Sequence, residues 1–385
     1  MITNGFTYLA VILFLAAVIV QLDKRYQSFF KNVPGIVMLY FIVMLCSSMG
    51  LWQKSQEVTL YYSLLKNNLL PVMIFLMLLR CDLRQIAKLG PRMILGFFSA
   101  TLSICLGFIV TYALLKSFYP PDTWKAFAAL CGSWIGGTGN MVAVQGALGV
   151  TDSQMGYTLL IDSIDYAIWV MLLLSFVPFA GTFNKWTGAD TAMIDEIGGR
   201  LASGRNASDE KMEFQHLILL VGVSFFVAAS SQNLAAFLPT SSFISTSTWA
   251  VIIVTVAGTA CAMTPLGQIP GTSQMASLLL YAIVGLIGSR ANFAELTQAP
   301  LYIFSGFMIL AIHAAILALI ARLFRLDLFT CGVASLANIG GVASAPILAA
   351  AYSEVLIPIG VLMGLMGYVV GTGGGLLVGK ILSII

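Results

Sequence analysis

The hydrophobic positions of this chain form a series of long apolar segments separated by short polar stretches. Most segments have about twenty residues, the length that an α-helix needs to cross a hydrocarbon core ~30 Å thick. They lack the alternation of apolar and polar positions that is typical of membrane β-barrels. The pattern therefore predicts an all-α polytopic membrane protein with spans near residues 6–20, 35–52, 60–79, 93–115, 155–179, 217–238, 249–263, 275–287, 301–320 and 356–377.

Two further apolar segments, 127–150 and 329–352, are each interrupted by a glycine pair. The first contains Gly132-Ser-Trp-Ile-Gly-Gly-Thr-Gly-Asn140, and the second contains Ala337-Asn-Ile-Gly-Gly-Val-Ala-Ser344. A shift of 204 positions places the first glycine pair on the second. Because glycine loosens the backbone where a membrane helix is normally continuous, the pattern predicts two helices broken at equivalent places. Such matched interruptions indicate the binding site of a secondary transporter.

The interruptions also define the predicted organisation of the chain. Residues 1–180 form a first repeat, residues 215–385 form a second repeat, and the polar stretch 181–214 is a linker. Each repeat has five spans besides its interrupted segment. An odd number of spans makes the two repeats antiparallel in the membrane, which is the inverted topology from which alternating access is commonly built.

The composition excludes a water-soluble globular domain, because 59% of the 385 residues are hydrophobic, 9% are charged and the mean hydropathy is +0.95. Residues 1–21 lack a basic region and a small-residue cleavage site, so we expect the first span to be retained. The net charge of +3 comes without a basic stripe, and no nucleic-acid partner is expected. The six scattered cysteines, which include no CxxC pair, are interpreted as small hydrophobic residues.

The distribution of lysine and arginine discriminates between two topologies, because these residues accumulate on the cytoplasmic side of bacterial inner-membrane proteins. If both interrupted segments cross the membrane fully, the bias disappears. If both are re-entrant hairpins, one side carries Lys24, Arg25, Lys31, Arg80, Arg84, Lys88, Arg92, Lys185, Arg200, Arg205, Lys211, Arg322 and Arg325, and the other carries Lys54, Lys116, Lys125, Arg290 and Lys380. We therefore expect re-entrant hairpins, a cytoplasmic linker and both termini outside.

Two aspartates lie in the span that follows the first interruption. Asp162 and Asp165 are three positions apart and share one helical face. Counted from Met155, Asp165 lies roughly 15 Å into the membrane, near its midplane. An ionised carboxylate is expensive at that depth, so such residues usually mark ion or proton pathways. The alternative is a carboxyl group that is protonated or salt-bridged for packing alone.

Other polar residues in apolar segments have weaker patterns. Lys66 could pair with an aspartate or extend its amine to the membrane interface. His313 could be a hydrogen-bonded packing residue or a proton relay. Freed backbone groups at a broken helix can hold an anion or Na⁺, and hydroxyl and amide oxygens can assist. The oxygen-bearing residues near the two breaks are Ser133, Thr138, Asn140, Asn338 and Ser344.

The chain resembles a membrane-protein family known as domain of unknown function 819. The resemblance spans nearly the whole chain and rests on three stretches, Gly132–Val144, Ala334–Ala345 and Gly364–Tyr368. This family looks distantly like the inverted-repeat carriers that include bile-acid/sodium symporters, glutamate and hydroxycarboxylate symporters and sodium/proton antiporters. The likeness implies a core domain that carries both interrupted segments, a separate scaffold domain, and a homodimer formed through the scaffold.

These patterns lead to one main functional hypothesis, a symporter that couples Na⁺ or H⁺ to a small organic anion or zwitterion. The alternative is a cation/proton antiporter, although the adjacent aspartates of many sodium/proton antiporters are replaced here by two aspartates a turn apart. A membrane receptor or scaffold is a third possibility. No catalytic motif is present, so we expect neither an enzyme nor a cofactor beyond the coupling ion.

The residues expected to bind substrate or ion are those around the breaks and the two aspartates. They are Ser133, Gly136, Gly137, Thr138, Asn140, Asp162, Asp165, Asn338, Gly340, Gly341 and Ser344. Within this set, Na⁺ is expected at Thr138, Asn140, Asp165, Asn338 and Ser344.

Overall fold

The computed structural model describes residues 1–30, 35–53, 55–189, 212–241, 244–291 and 299–385. The described chain is helical, and its β-type pairing is a single bridge between Ile2 and Trp52. The all-α fold class is thus confirmed. Most of the predicted linker, residues 190–211, lies outside the described residues, as do Lys31, Lys54 and the loop 292–298.

The helices follow one another with short connections. In the first half they are α1 (Gly5–Arg25), α2 (Gln27–Phe30), α3 (Gly35–Ser48), α4 (Gln56–Leu78), α5 (Leu83–Ala87), α6 (Gly90–Leu115), α7 (Thr123–Gly136), α8 (Thr138–Leu148), α9 (Asp152–Phe176) and α10 (Ala180–Thr187). In the second half they are α11 (Phe214–Ala235), α12 (Thr246–Ala262), α13 (Thr272–Gly288), α14 (Ala299–Phe324), α15 (Leu328–Ile339), α16 (Gly341–Tyr352) and α17 (Ile357–Leu382).

Seven helical segments of the described chain are long and apolar enough to cross a membrane. They contain α1, α4, α6, α9, α11, α14 and α17, and each coincides with a predicted span. The other three predicted spans are the shorter apolar helices α3, α12 and α13, with 14, 17 and 17 residues. At 1.5 Å per residue these three are about 21 to 26 Å long, shorter than the ~30 Å core of a typical bilayer.

Polar side chains fix where several of these helices begin. Ser55, Thr151 and Asp327 precede α4, α9 and α15, and each side chain accepts a hydrogen bond from a backbone N–H of the first turn. Such caps satisfy donors that have no partner within the helix. The cap at Thr151 sets the register of α9, and therefore the position of both aspartates.

Both interrupted segments fold back on themselves. A Cβ added at Gly132 of α7 would lie 3.0 Å from Cγ2 of Val144 in α8, although the two residues are twelve positions apart. A Cβ added at Gly332 of α15 would likewise lie 3.3 Å from Leu348 of α16. In a continuous helix such residues would be about 18 to 24 Å apart. Each pair of helices therefore forms a hairpin, as the charge distribution predicts.

The helices pack in two groups. The first group, which we name the panel bundle, contains α1, α3, α4, α11, α12 and α13. The second group, the hairpin bundle, contains both hairpins together with α6, α9, α14 and α17. Close approaches at glycine tie each group together, such as Gly285 of α13 against Ile12 of α1, and Gly107 of α6 against Ile309 of α14. Each half of the sequence contributes three apolar helices to the panel bundle, namely α1, α3 and α4 from the first half and α11, α12 and α13 from the second, and its later apolar helices to the hairpin bundle.

The two ends of α4 mark opposite faces of the molecule. At the start of α4, Glu57 accepts a hydrogen bond of 3.0 Å from the backbone N–H of Gly5, where α1 begins. At the other end, a Cβ added at Gly267 would lie 2.9 Å from the Leu79 carbonyl oxygen. Met212, just before α11, contacts Gly271 in the same region. The first helix of each half therefore begins at a different face.

The basic residues of the described chain divide between these two faces as the hairpin topology predicts. Trp52 donates to the Ser289 carbonyl, which places Arg290 at the face where α1 begins. Lys116, at the end of α6, donates to the Ile385 carbonyl at 2.7 Å on that same face. The opposite face carries Lys24, Arg25, Arg80, Arg84, Lys88, Arg92, Lys185, Arg322 and Arg325.

Candidate functional site

The two hairpin tips meet on one surface of α17. A Cβ added at Gly367 would lie 2.5 Å from the Ile135 carbonyl oxygen and 3.3 Å from the Ala337 carbonyl oxygen. Those two carbonyls belong to the first and the second hairpin. A Cβ at Gly364 would lie 2.7 Å from Val342, also in the second hairpin. The absence of side chains at these glycines of α17 therefore lets both tips reach the same stretch of helix.

Each tip turns on the second glycine of its pair. Gly137 has φ +84° and ψ 174°, and Gly341 has φ +64°. Residues with a Cβ rarely adopt these conformations, because Cβ would clash with the backbone. The two residues are also those that the shift of 204 positions aligns. The predicted breaks are thus present, and the same glycine of each pair makes the turn.

One cavity of about 220 Å³ is lined by both tips. The predicted site residues in its wall are Ser133, Gly137, Thr138, Asp162, Gly340 and Gly341. The rest of the wall includes Val37 of α3, Met77 of α4 and Leu280 of α13, which belong to the panel bundle. The cavity therefore lies where the hairpin bundle faces the panel bundle.

Asp162 is held by donors from the first hairpin. Its Oδ1 accepts hydrogen bonds from Ser133 Oγ at 3.0 Å and from Trp134 Nε1 at 3.1 Å. Both donors are almost completely buried, whereas Asp162 is only partly buried and reaches the cavity. Hydrogen bonds to one carboxylate oxygen hold the group in place and leave the second oxygen for a cation or a polar solute.

Asp165 lies deeper, against α14. Its side chain is fully buried, and its oxygens have no hydrogen-bond partner among the described residues. A Cβ added at Gly306 of α14 would overlap the Asp165 carboxylate, at 1.6 Å from Oδ2. The carboxyl group therefore occupies the space that a side chain at position 306 would fill. Burial of a carboxylate without a partner is costly, so this position favours the protonated form or a bound cation.

The two asparagines of the predicted site form hydrogen bonds that connect the hairpins to other helices. Asn140 donates to the Gly136 carbonyl at 2.7 Å and accepts from Thr372 of α17 at 2.6 Å. Asn338 donates to the Ala334 carbonyl at 2.9 Å and accepts from Thr101 of α6 at 2.8 Å. Both amides are fully buried and neither lines the cavity. Their described contacts join the hairpins to neighbouring helices.

The remaining predicted residues lie close to the cavity without lining it. Gly136 packs against Gly367, and Ser344 packs beside Gly340, where an added Cβ would be 1.8 Å from Ser344 Oγ. Of the five residues expected to hold Na⁺, only Thr138 lines the cavity. Asp165 contacts α14, and each asparagine contacts a different helix. An ion in the cavity would therefore have a different set of ligands, with Asp162 among them.

Some cavity residues were not predicted from the sequence. Tyr166 and Ser163 follow Asp162 on α9, and Tyr368 belongs to α17. The spacing of Tyr166, four positions after Asp162, could have placed it on the same helical face. Tyr368 lies within a stretch that carries the family resemblance, but its approach to the hairpins depends on tertiary packing.

Two polar residues whose roles the sequence left undecided have defined partners in the structure. Lys66 Nζ forms a salt bridge of 2.8 Å with Asp152. Of the two alternatives for Lys66, the structure therefore shows pairing with an aspartate. His313 is fully buried between two hydroxyl groups, with Nδ1 2.7 Å from Ser103 Oγ and Nε2 2.8 Å from Ser335 Oγ. This histidine is hydrogen-bonded on both sides, and it does not line the cavity.

Comparisons with known proteins find a matching family and a similar membrane protein. The family described as "Protein of unknown function (DUF819)" matches residues 10–385. The chain is also similar to the uncharacterized membrane protein YjcL of Bacillus subtilis (strain 168), with 24% identity over 386 residues that cover 95% of this chain and 93% of that protein. Together with the apolar helices, this similarity indicates a multi-pass membrane protein. Because the family match spans nearly the whole sequence, the chain belongs to the DUF819 family.

Proposed function

We propose that this protein is a secondary active transporter that couples Na⁺ or H⁺ to the movement of a small organic anion or zwitterion. The observation that carries the proposal is the cavity lined by both broken helices and by Asp162. Transporters commonly hold substrate and coupling ion where broken helices from two repeats meet. A volume of about 220 Å³ is below the range of pockets for drug-sized ligands and suits a small solute.

The arrangement of the two halves supports an inverted repeat. Their main apolar helices occur in the same order, with three helices of the panel bundle, a long fourth helix, a hairpin and a final long helix. The first helices, α1 and α11, begin at opposite faces. We propose that the halves are antiparallel repeats, within the wider group of inverted-repeat carriers, and that the hairpin bundle moves against the panel bundle during alternating access. The panel bundle would act as the scaffold and could hold two copies together as a homodimer.

The charge bias supports an orientation with both termini outside. Single cysteines at two exposed positions, Lys185→Cys in α10 and Lys116→Cys after α6, test it in cells. We expect a membrane-impermeant thiol reagent to label position 116 in intact cells and position 185 only after permeabilisation. Labelling of both positions in intact cells would contradict the hairpin topology.

A cation/proton antiporter is the second candidate, and Asp165 is the observation that favours it. A buried carboxyl group that has no partner among the described residues, one turn from Asp162, is suited to taking up and releasing a proton. The two candidates share the same aspartates and differ in whether an organic solute moves. We propose no enzymatic role for either aspartate.

Purified protein in liposomes distinguishes the two functions. A screen of carboxylates and amino acids by thermal shift, with and without Na⁺, first identifies a solute, since a ligand that binds only the folded protein raises its melting temperature. For symport we expect an imposed ion gradient to drive accumulation of that solute. A change of luminal pH driven by Na⁺ without any organic solute would instead establish antiport. Binding without movement of either would reject transport and leave a receptor.

Replacement of Asp165 by asparagine is expected to remove the proton dependence of transport while the protein still folds. Asparagine is nearly isosteric, and loss of a deeply buried carboxylate removes roughly 2.5 to 3.5 kcal/mol of insertion cost. The melting temperature of Asp165→Asn should therefore be equal to or above that of the wild type. Uptake at acidic, neutral and alkaline pH measures the effect. An unchanged pH profile would assign Asp165 to packing alone.

A further inference from the structure

A second cavity lies next to the first, towards the face that carries most of the basic residues. It has a volume of about 130 Å³, and we name it the antechamber. Its wall includes Arg80 at the end of α4, Ser273 and Ser277 of α13, and Tyr368 of α17. Met77, Leu280 and Tyr368 line both cavities, so these three side chains separate the antechamber from the cavity between the hairpin tips.

Each polar side chain of the antechamber can donate hydrogen bonds. Arg80 carries a permanent positive charge, and the hydroxyl groups of Ser273, Ser277 and Tyr368 can each donate a hydrogen bond. None of the described residues that line it is acidic. Guanidinium and hydroxyl donors around a small space are the groups that bind carboxylate and phosphate oxygens.

The charge of Arg80 is not neutralised by its described neighbours. In the ranges that the structure describes, Arg80 takes part in no salt bridge. The closest acidic residue along the chain, Asp82, is bound to Arg84 instead, with Arg84 Nη2 2.9 Å from Asp82 Oδ2. Hydrogen bonds from Arg84 lower the pKa of Asp82, which keeps that carboxylate ionised and paired. A charge without a counter-ion beside a cavity attracts an anion.

We propose that the antechamber binds the oxyanion group of the transported solute and that Arg80 selects for negative charge. The solute is then an anion rather than a zwitterion, and it passes between Tyr368, Met77 and Leu280 to reach the hairpin tips. This inference rests on the proposed transport function for the passage of the solute. The anion site itself is a property of the antechamber and can be tested without transport.

Thiol modification measures the charge preference directly. The six native cysteines are replaced, Ser277→Cys is introduced, and the purified protein reacts with anionic sulfonatoethyl or cationic trimethylammonioethyl methanethiosulfonate. With Arg80 present, we expect the anionic reagent to react faster, and inorganic phosphate to slow its reaction. Arg80→Gln should lower the ratio of anionic to cationic rates by about tenfold, because one charge acts oppositely on the two reagents. High salt should weaken the preference.

Two variants serve as controls. Arg84→Gln removes a neighbouring guanidinium that is paired with Asp82 and does not line the antechamber, so the ratio should stay unchanged. Arg80→Lys keeps the charge and should keep most of the preference. Equal ratios for Arg80 and Arg80→Gln would overturn the proposal, even if liposomes demonstrate transport. A charge preference that depends on Arg80 would support the anion site, even if the liposome assay rejects transport.

Discussion

Asp162→Asn is expected to abolish cation-driven uptake while the protein still inserts and folds. The carboxylate lines the cavity and is fixed by Ser133 and Trp134, so the substitution removes the one described acidic side chain in the wall. Hydrogen bonds and contacts to a charged group contribute about 1.5 to 3 kcal/mol each. Loss of one such interaction with the coupling cation lowers its affinity about 10- to 100-fold. Uptake in liposomes and thermal shift by Na⁺ alone measure the two effects separately.

A matched substitution at Asp122 controls for the loss of one carboxylate. Asp122 is exposed, forms a salt bridge of 3.2 Å with Lys125, and has φ +63°. Asparagine tolerates that backbone conformation, and an exposed ion pair contributes little to stability. Asp122→Asn should therefore transport like the wild type. If Asp162→Asn also retains full gradient-driven uptake, Asp162 has no part in coupling.

Substitution of the two residues that donate hydrogen bonds to Asp162 tests the orientation of its carboxylate without changing its charge. Ser133→Ala and Trp134→Phe each remove one hydrogen bond to Oδ1 and keep the carboxylate. A partial loss of cation affinity in both variants would indicate that the donors orient the group. The pair Ser133 and Asp162 was predicted from the sequence as part of one site, but the role of Trp134 was not.

The glycine pairs were the most informative feature of the sequence. Gly137 and Gly341 adopt backbone conformations that other residues rarely take, and this requirement is local enough to be visible in the sequence. The helix that contains the two aspartates is also defined by local sequence, because an apolar segment and a capping threonine mark it. The distribution of lysine and arginine along the chain further predicted the hairpin topology, because these residues indicate which loops lie on the same side of the membrane.

The parts of the site that were not predicted depend on contacts between distant segments. Asn140 and Asn338 were expected to bind an ion, yet their amides are occupied by Thr372 and Thr101, more than two hundred positions away in each case. Sequence position alone cannot distinguish an amide that faces a cavity from one that forms hydrogen bonds with a neighbouring helix. The same limit applies to Tyr368, which reaches the cavity because its helix passes both hairpin tips.

The short span α3 has a related explanation. Its predicted span, 35–52, was extended beyond the end of the helix at Ser48 by residues that the structure places in a connection, such as Trp52, whose indole donates to the Ser289 carbonyl. Hydropathy does not separate an apolar residue in a helix from one in a packed connection. The short helices α3, α12 and α13 all belong to the panel bundle. Helices α12 and α13 pack against the longer helix α4, and α3 packs against α1 and α13.

Gly367→Ala is expected to destabilise the protein and to disturb both hairpin tips. The new Cβ would lie 2.5 Å from the Ile135 carbonyl oxygen and 3.1 Å from the Gly136 Cα, and both neighbours are backbone atoms that cannot rotate away. Overpacking of this kind typically costs about 1 to 3 kcal/mol and shifts the backbone. Here the shift would reach both hairpins, since the Ala337 carbonyl lies on the other side of the same glycine at 3.3 Å.

Gly373→Ala in the same helix is the matched control for that substitution. Apart from the neighbouring backbone of α17 itself, no atom of the described residues lies within 4 Å of a Cβ added at Gly373, and alanine is the better helix former by roughly 1 kcal/mol in exposed helices. Its melting temperature should equal or exceed that of the wild type, whereas Gly367→Ala should melt at a lower temperature and lose uptake. Equal melting temperatures for the two variants, together with unchanged uptake, would mean that the hairpin tips do not rest on α17. If Gly367→Ala folds normally but fails to transport, the contact matters for movement of the hairpins rather than for stability.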